Sequence, residues 1–211
     1  QSSDQNEYAG RREEMVQTLE SEYPLFDEWV FSALRTTPRE AFIPTTYKKL
    51  AYEKNSIPLG NGVTLATMDF YTRVLEATQA ENIGSVLVMG YGAGYAAALL
   101  SSVVETVYLI EYDPSSLSNY EQIFSQLNIE DINVNGRTIA GSWQEISPFD
   151  TIFIHGAVTH IPENVSRHLK PEGTLVFSLT DTAGFQVLVS VVWSENGFSL
   201  RMLGESFVTE I

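Results

Sequence analysis

Cysteine is absent from this chain, and so is any long apolar run. Without cysteine the protein forms no disulfide, no thiolate metal site and no cysteine nucleophile, although this absence does not choose a cellular compartment. A helix that spans a bilayer needs about 18 or more consecutive apolar residues. Because no such run exists, the sequence predicts no membrane-spanning segment and no membrane partner.

Basic residues and histidines are also scarce. Lysine and arginine together number 12, against 27 aspartates and glutamates, and the formal net charge is −15. Nucleic-acid binding depends on clustered basic side chains that neutralise phosphates, so this composition disfavours a nucleic-acid partner. The histidines His155, His160 and His168 have no usual metal-pair spacing. They are interpreted as ordinary surface or loop residues, and a role of His155 at the rim of a binding pocket stays open because it follows a strand-like run at the carboxyl end of the sheet. No metal site is predicted. We expect a cytoplasmic protein.

The length and hydrophobic content favour one compact unit. With 211 residues, 44% of them hydrophobic, the chain can bury one sizeable core. We expect a single domain over residues 1–211, with residues 1–75 as an N-terminal helical and loop extension. Apolar spacing predicts a helix over residues 8–23, and Asp27 is a candidate N-cap for a second. Residues 45–70 carry proline and glycine with little periodicity, which predicts a long functional loop.

Strand and helix patterns alternate after about residue 80. The runs Ser85–Met89 and Thr106–Ile110 are continuously apolar or nearly so, which is typical of strands buried on both faces of a parallel sheet. Helical spacing of apolar residues follows each run. Further strand-like runs lie at Asp150–Ile154, Thr174–Leu179, Gln186–Trp193 and near Leu200–Val208. The sequence therefore predicts a wound α/β sheet that is mostly parallel, with antiparallel strands at its C-terminal end.

A glycine-rich turn joins the first of these strands to its helix. Gly90, Gly92 and Gly94 follow G-x-G-x-G spacing, which differs from the dinucleotide pattern G-x-G-x-x-G because Tyr95 stands where the last glycine would fall. Glu111 ends the next strand, where a carboxylate can accept hydrogen bonds from ribose hydroxyls. Strand, glycines, helix, strand and acid in this order predict a site for an adenosyl-type nucleotide.

Several motifs together resemble the protein-L-isoaspartate O-methyltransferase family. They are R-E-E-M-V from Arg12, T-P-R-E-A-F-I-P from Thr37, L-A-Y from Leu50, I-P-L-G from Ile57, T-L-A from Thr64, the segment Val86–Leu100, S-P-F-D-T-I from Ser147 and L-K-P-E-G-T-L-V from Leu169. The resemblance implies a Rossmann-like, S-adenosylmethionine-dependent methyltransferase fold. It also implies repair-type methylation of the free α-carboxyl of isoaspartyl residues, with a protein or peptide carboxyl as the acceptor.

Four departures from the family pattern fall at its functional positions. Ala66 stands in place of the family serine at the acceptor carboxyl, and the proline expected shortly after it is missing. Val88 stands where the family has an acid for the cofactor amino group. Thr138 and Ile139 align with the G-D-G turn whose acid reaches the adenine. Of the three cofactor acids implied by the resemblance, Glu111 alone remains.

The resemblance assigns roles to particular residues of this chain. Cofactor-binding positions are Gly90, Gly92, Gly94, Glu111, Thr138 and Ile139. Thr64 and Thr67 are the remaining acceptor-side hydroxyls. We expect a divergent protein-carboxyl (L-isoaspartyl/D-aspartyl) O-methyltransferase that uses S-adenosylmethionine, with binding and activity weakened by the missing acids and serine. Two alternatives stay open, namely a catalytically silent binding or scaffold protein of the same fold and a methyltransferase for another small acceptor. The sequence does not indicate an oligomeric state.

Overall fold

A computed structural model describes residues 2–134 and 142–211. Within these ranges a large sheet has the strand order β5-β4-β3-β6-β7-β8-β9, and β1 and β2 form a separate hairpin. The strands are β1 Ile57–Gly60, β2 Val63–Leu65, β3 Ser85–Gly90, β4 Thr106–Glu111, β5 Ile132–Val134, β6 Phe149–Val158, β7 Leu169–Thr180, β8 Gln186–Ser194 and β9 Gly197–Glu205. Strands β5, β4, β3, β6 and β7 run parallel to one another. Strand β8 pairs antiparallel with β7, and β9 pairs antiparallel with β8.

This architecture confirms the predicted fold class. Strands β3 and β4 lie inside the sheet with mostly buried residues, as their apolar runs predicted. Strand β3 has β4 on one side and β6 on the other, so the chain winds outward from it in both directions. In open sheets of this kind, ligands bind beyond the carboxyl ends of the strands at such a switch point.

Aspartates precede two of the helices in the described ranges. They are α1 Ser2–Glu22, α2 Glu28–Thr36, α3 Met68–Thr78, α4 Gly94–Ser101, α5 Pro114–Gln126 and α6 Glu163–Ser166. Asp27 occupies the N-cap of α2, as predicted, although its side chain makes no capping hydrogen bond. Asp113 caps α5 by accepting from the amide of Ser115 at 3.0 Å. In the described ranges, no helix is long and apolar enough to cross a membrane.

The prediction of an unbroken loop over residues 45–70 was wrong. This segment contains short 3₁₀ turns and the antiparallel β1–β2 hairpin, in which Ile57 pairs with Leu65. The hairpin turn uses Asn61 and Gly62, whose φ angles are 52° and 77°. Asparagine and glycine tolerate this left-handed region, which a two-residue hairpin turn requires.

Buried side chains form one cluster on each face of the sheet. The larger cluster packs the helices and the N-terminal elements against Val86, Val88 and their neighbours. The smaller one contains Leu87, Met89 and Phe177 on the opposite face. This alternation follows from the two-residue period of a strand. It leaves the carboxyl ends of β3, β4 and β6 as the place where a ligand-binding turn meets the N-terminal elements.

Candidate active site

The glycine loop, residues 90–94, connects the carboxyl end of β3 to the first turn of α4. Gly90 and Gly92 have φ angles of 138° and 68°, which L-residues with side chains rarely adopt. A Cβ at residue 90 would lie 2.2 Å from the backbone oxygen of His155 on the neighbouring strand β6. Gly90 is therefore required by the close approach of two backbones, and the loop starts at the switch point of the sheet.

Glu111 lies at the carboxyl end of β4 and binds the glycine loop. Its two carboxylate oxygens accept hydrogen bonds from the amides of Gly92 and Ala93, each at 3.0 Å, and a third bond comes from the amide of Asp113 at 3.2 Å. The side chain is buried, and this desolvation raises the pKa of Glu111, against the lowering effect of the three amides. A carboxylate has about four acceptor positions, so about one remains for a ligand hydroxyl.

Apolar side chains cover the glycine loop. A Cβ at Gly92 would lie 2.8 Å from Cγ1 of Val63 and 3.3 Å from Cδ1 of Leu59, both in the β1–β2 hairpin. A Cβ at Gly94 would lie 2.4 Å from the ring of Tyr120 in α5. The hairpin and α5 therefore pack directly on the turn that sequence reasoning assigned to the cofactor.

His155, interpreted from the sequence as an ordinary surface or loop histidine, is in fact buried beside the glycine loop. Its Nε2 lies 2.7 Å from the hydroxyl of Tyr71, and its Nδ1 lies 2.7 Å from the carbonyl oxygen of Tyr91. Burial lowers the pKa of His155 to about 4. Its position directly after the predicted strand-like run Asp150–Ile154 was the one sequence signal for this site, and the structure places it inside strand β6. Nothing in the sequence indicated Tyr71, 84 residues away.

Residues 63–67 form a segment that we call the acceptor segment, because it contains the position of the family serine. Its residue Ala66 is buried, and Arg39 donates from Nη2 to the Ala66 carbonyl at 2.7 Å. The amide of Ala66 donates to the hydroxyl of Tyr71 over a long 3.4 Å contact. Arg39 is itself buried between the rings of Tyr71 and Tyr95, and desolvation lowers its pKa. Both backbone groups of Ala66 are therefore held by buried side chains.

A cavity of about 780 Å³ borders the acceptor segment. Ala66 and Thr67 line it, together with residues from α1, α3, the stretch 53–56 and the C-terminal stretch 203–207. The hydroxyl of Thr67 caps α3 by accepting from the amide of Phe70 at 3.1 Å. Thr64 pairs with Pro58 in the hairpin and does not belong to the cavity lining. The structure thus brings Thr67 to the cavity and leaves Thr64 on the hairpin.

Charged groups of the cavity are mostly paired with one another. Arg73 donates to Asp69 at 3.0 Å and to the carbonyl oxygens of Leu203 and Glu205 at 2.8 and 2.9 Å. Asp69 also accepts from the hydroxyl of Tyr23, and burial together with this bond raises the tyrosine pKa. Lys54 is mostly exposed and lies 3.8 Å from Glu22. Lys54 is thus the lining cation with the loosest pairing.

Two predicted cofactor positions, Thr138 and Ile139, lie outside the described residues.

Val88 is fully buried in the apolar cluster next to the glycine loop, so it offers a ligand neither charge nor hydrogen bond. Across residues 2–134 and 142–211, no group of three or more histidine or acidic side chains could hold a metal ion.

The glycine loop at a switch point, with an acid at the end of the next strand, is typical of nucleotide-binding α/β proteins. Together with the family resemblance of the sequence, it indicates the S-adenosylmethionine-dependent methyltransferase class. Solved structures of this class share the fold. A Plasmodium falciparum structure described as a protein-L-isoaspartate O-methyltransferase, in complex with S-adenosyl-L-homocysteine, matches with a TM-score of 0.81 at 15% identity, over 94% of this chain and 97% of that one. Another protein-L-isoaspartate O-methyltransferase structure matches with a TM-score of 0.78 at 21% identity, over 95% of this chain and 65% of that one.

The chain belongs to the protein-L-isoaspartate(D-aspartate) O-methyltransferase family, whose model matches residues 10–207. It is 33% identical over 191 residues to protein-L-isoaspartate O-methyltransferase 2 of Shewanella sediminis, covering 89% of this chain and 77% of the relative. It is 29% identical over 204 residues to the protein-L-isoaspartate O-methyltransferase of Pelotomaculum thermopropionicum, covering 97% and 89%. The family indicates S-adenosylmethionine as the cofactor and a protein as the substrate.

The residues present fit this cofactor at its nucleoside end. Glu111 keeps an acceptor position for a ribose hydroxyl, and the glycine loop allows close approach of a ligand to the backbone. At the amino-acid end, Val88 supplies no partner for an ammonium group. When the cofactor binds, the described residues would offer polar groups to its nucleoside half, and its amino-acid half would lack the acid that the resemblance implies.

Proposed function

We propose that this protein transfers a methyl group from S-adenosylmethionine to a carboxyl group of a protein or peptide, with L-isoaspartyl (or D-aspartyl) residues as the acceptor. One observation carries the proposal: the acceptor segment contacts the glycine loop and also lines the cavity. Val63 packs on the glycine loop, while Ala66 and Thr67 line the cavity of about 780 Å³. A substrate in that cavity would therefore lie one chain segment away from the cofactor loop.

The reaction demands alignment more than acid-base chemistry. The cofactor, when bound, supplies a methyl group on an activated sulfonium, and an ionised carboxylate is already a nucleophile. The protein therefore has to hold the two groups in line and exclude water. Arg39 and Tyr71 fix the backbone of Ala66, and Thr67 begins α3 at the cavity wall. These contacts orient the segment that an acceptor would meet.

The cavity suits a peptide chain with little acidic charge apart from the reacting carboxyl. Its lining includes the apolar side chains of Met15, Leu19 and Phe70, and Lys54 extends from its rim with 75% of its side chain exposed. Four acidic residues also line it, and the whole protein carries a net charge of −15. Acidic peptides would be repelled at long range, so neutral or basic isoaspartyl peptides are the better substrates. A nucleic-acid substrate is disfavoured for the same reason.

Two measurements on the wild-type protein test the proposal. Calorimetric titration with S-adenosyl-L-homocysteine reports whether the cofactor loop accepts a ligand. Transfer of a labelled methyl group to an isoaspartyl peptide, compared with the same peptide carrying a normal aspartate, reports the acceptor. Methylation of the isoaspartyl peptide alone would support the proposal.

The other outcomes of these measurements are also informative. Binding without transfer to either peptide would favour an acceptor of another class. Absence of both binding and transfer in a folded protein would overturn the proposal and favour a silent binding or scaffold protein. A cytoplasmic location and a single domain with residues 1–75 as its extension stay predictions.

A further inference from the structure

Tyr71 and His155 are buried polar residues to which methyl transfer assigns no chemical step. Tyr71 is fully buried, His155 is 2% exposed, and their rings stack with centroids 5.8 Å apart. Phe70 and Phe153 pack edge-on against the imidazole. Polar groups in such surroundings are costly unless they are hydrogen-bonded, so the direction of each bond carries information.

Each hydrogen bond of Tyr71 and His155 has a definite donor and a definite acceptor. The carbonyl of Tyr91 can only accept, so Nδ1 of His155 carries the proton and donates to it. Nε2 of the neutral imidazole then accepts from the Tyr71 hydroxyl, and the same hydroxyl oxygen accepts from the amide of Ala66. The result is a continuous chain from Ala66 through Tyr71 and His155 to Tyr91.

The far end of this chain holds one peptide unit of the glycine loop. The carbonyl of the Tyr91–Gly92 peptide binds His155, and its amide binds Oε1 of Glu111 at 3.0 Å. Both polar atoms of this peptide are therefore fixed by buried side chains from neighbouring strands. Rotation of the peptide would break both bonds at once, which makes its orientation, and with it the orientation of the Gly92 amide, dependent on His155.

We infer that Tyr71 and His155 are positioning residues that join the acceptor segment to the glycine loop, so that the two adopt their working geometry together. The roles of the two loops in this statement rest on the proposed function. The hydrogen-bonded chain itself does not, because it is present without any ligand. Tyr71 and His155 act through Ala66, Tyr91 and Gly92, and neither is assigned contact with the reacting atoms.

The test compares Tyr71→Phe with Thr72→Val. Tyr71→Phe removes one hydroxyl and keeps the aromatic packing. Thr72→Val removes a neighbouring buried hydroxyl, which donates to the carbonyl of Met68 at 2.7 Å within the same helix. Amide hydrogen exchange by NMR is measured at Gly92 and Ala66 in both variants and in wild type. The amide of Leu109, buried in β4, serves as the reference for global opening.

For Tyr71→Phe we expect exchange at Gly92 and Ala66 to accelerate about tenfold or more beyond the change at Leu109. For Thr72→Val the exchange rates of the amides of Gly92, Ala66 and Leu109 should change by the same factor to within about threefold. The long-range ¹H–¹⁵N spectrum of wild type should show His155 protonated on Nδ1. If Tyr71→Phe changes all three amides equally, or if His155 is protonated on Nε2, the pair is a packing feature of the core and the inference is wrong.

Ligand binding separates this inference from the proposed function. Tyr71→Phe should weaken S-adenosyl-L-homocysteine binding severalfold, whereas Thr72→Val should stay within about twofold of wild type. If wild type does not bind the ligand, the proposed function fails, and the exchange experiment still decides the inference. If wild type binds and Tyr71→Phe binds equally well, the coupling to the glycine loop is absent and the inference is overturned.

Discussion

Val63 packs on Gly92: its Cγ1 lies 2.8 Å from the position that a Cβ of residue 92 would occupy. This contact joins the β1–β2 hairpin, which precedes the acceptor position Ala66, to the glycine loop at the end of β3. The distance is shorter than real Cβ contacts, so a side chain at residue 92 would require Val63 to shift. Gly92 is therefore needed both for its backbone angle and for the packing of the hairpin.

The first prediction follows from this contact. Gly92→Ala should lower the free energy of unfolding by about 2 kcal/mol, because alanine is strained at a φ of 68° and its methyl group collides with Val63. Chemical denaturation measures the change. Gly10→Ala is the matched control, since nothing lies within 4 Å of a Cβ there and alanine favours the surrounding helix α1. Equal stability of both variants would mean that the hairpin does not pack on the loop.

The second prediction concerns the missing ammonium partner. Val88→Glu should strengthen S-adenosylmethionine binding about ten- to a hundredfold, because a hydrogen bond to a charged group contributes about 1.5–3 kcal/mol. The same change should lower the stability of the ligand-free protein by about 3 kcal/mol or more, since position 88 is fully buried among apolar residues. Calorimetric titration and denaturation measure the two effects.

Val88→Gln is the control for this pair of measurements. It has nearly the same shape as glutamate and no charge, so it should lose stability without the gain in affinity. An equal gain for both variants would assign the effect to shape. No gain for Val88→Glu in a folded protein would mean that the cofactor does not reach position 88.

The central strands and the site differ in how far the sequence could predict them. Strands β3 and β4 are buried on both faces, so their residues form apolar runs that are visible in one sequence. The β1–β2 hairpin has strands of only four and three residues, with Pro58 in one of them, and such short strands show no period. The hairpin packs against Gly92, which is far away along the chain, and no local sequence pattern reports such a contact.

The residues around Ala66 are likewise brought together by contacts between distant positions, which one sequence does not show. Tyr71 and His155 are joined across 84 positions. The place of His155 after a strand-like run was a weak signal, and Tyr71 had none. Glu111 was expected to face a ribose, and the structure adds that its oxygens already bind the amides of Gly92 and Ala93. The roles assigned to Thr64, Thr67 and the glycines stay predictions, because hydrogen bonds within the protein do not identify the atoms that contact a substrate.

The third prediction is a pH dependence of stability due to His155. Because its pKa in the folded protein is about 4, below the ordinary value of 6.5, the unfolded chain takes up the proton first as the pH falls. Stability is therefore fully present above about pH 6.5 and is lost progressively towards pH 4, by up to about 3 kcal/mol. Denaturation curves at several pH values, for wild type and His155→Asn, measure the difference.

Other titratable groups near His155 also affect how stability changes with pH, and the comparison with His155→Asn separates their contributions from that of His155. Tyr71, Tyr95 and Arg39 face the His155 region and keep their charge state across this pH range, because burial raises the pKa of both tyrosines. The raised pKa of Glu111 acts in the opposite direction and stabilises the fold as the pH falls. His155→Asn retains the contribution of Glu111, so between pH 6.5 and 4 it should lose less stability than wild type as the pH falls. Parallel curves would show that His155 does not titrate as its burial requires.

The fourth prediction restores the acceptor hydroxyl. Ala66 lines the cavity, and Arg39 and Tyr71 hold its backbone, so a serine hydroxyl at this position would project from a fixed support. If the hydroxyl contributes in the transition state, Ala66→Ser should raise methyl transfer to an isoaspartyl peptide about ten- to a hundredfold, with little change in cofactor affinity. Ala66→Cys is the control, because it has a similar size and is a weak hydrogen-bond donor.

Combining Ala66→Ser with Val88→Glu tests whether binding and chemistry are separate deficits. Val88 lies in β3 beside the glycine loop, whereas Ala66 lies at the cavity, so the two substitutions would contact different parts of the reacting assembly. Their effects on kcat/KM should then be roughly additive in free energy, with Val88→Glu changing cofactor affinity and Ala66→Ser changing kcat. The hydrogen-bonded chain through Tyr71 and His155 joins the two regions, and a clear departure from additivity would measure their coupling. Transfer that stays undetectable in the folded double variant would favour the silent binding or scaffold protein over the proposed reaction, because the acceptor hydroxyl and the acid of β3 would then be present without restoring it.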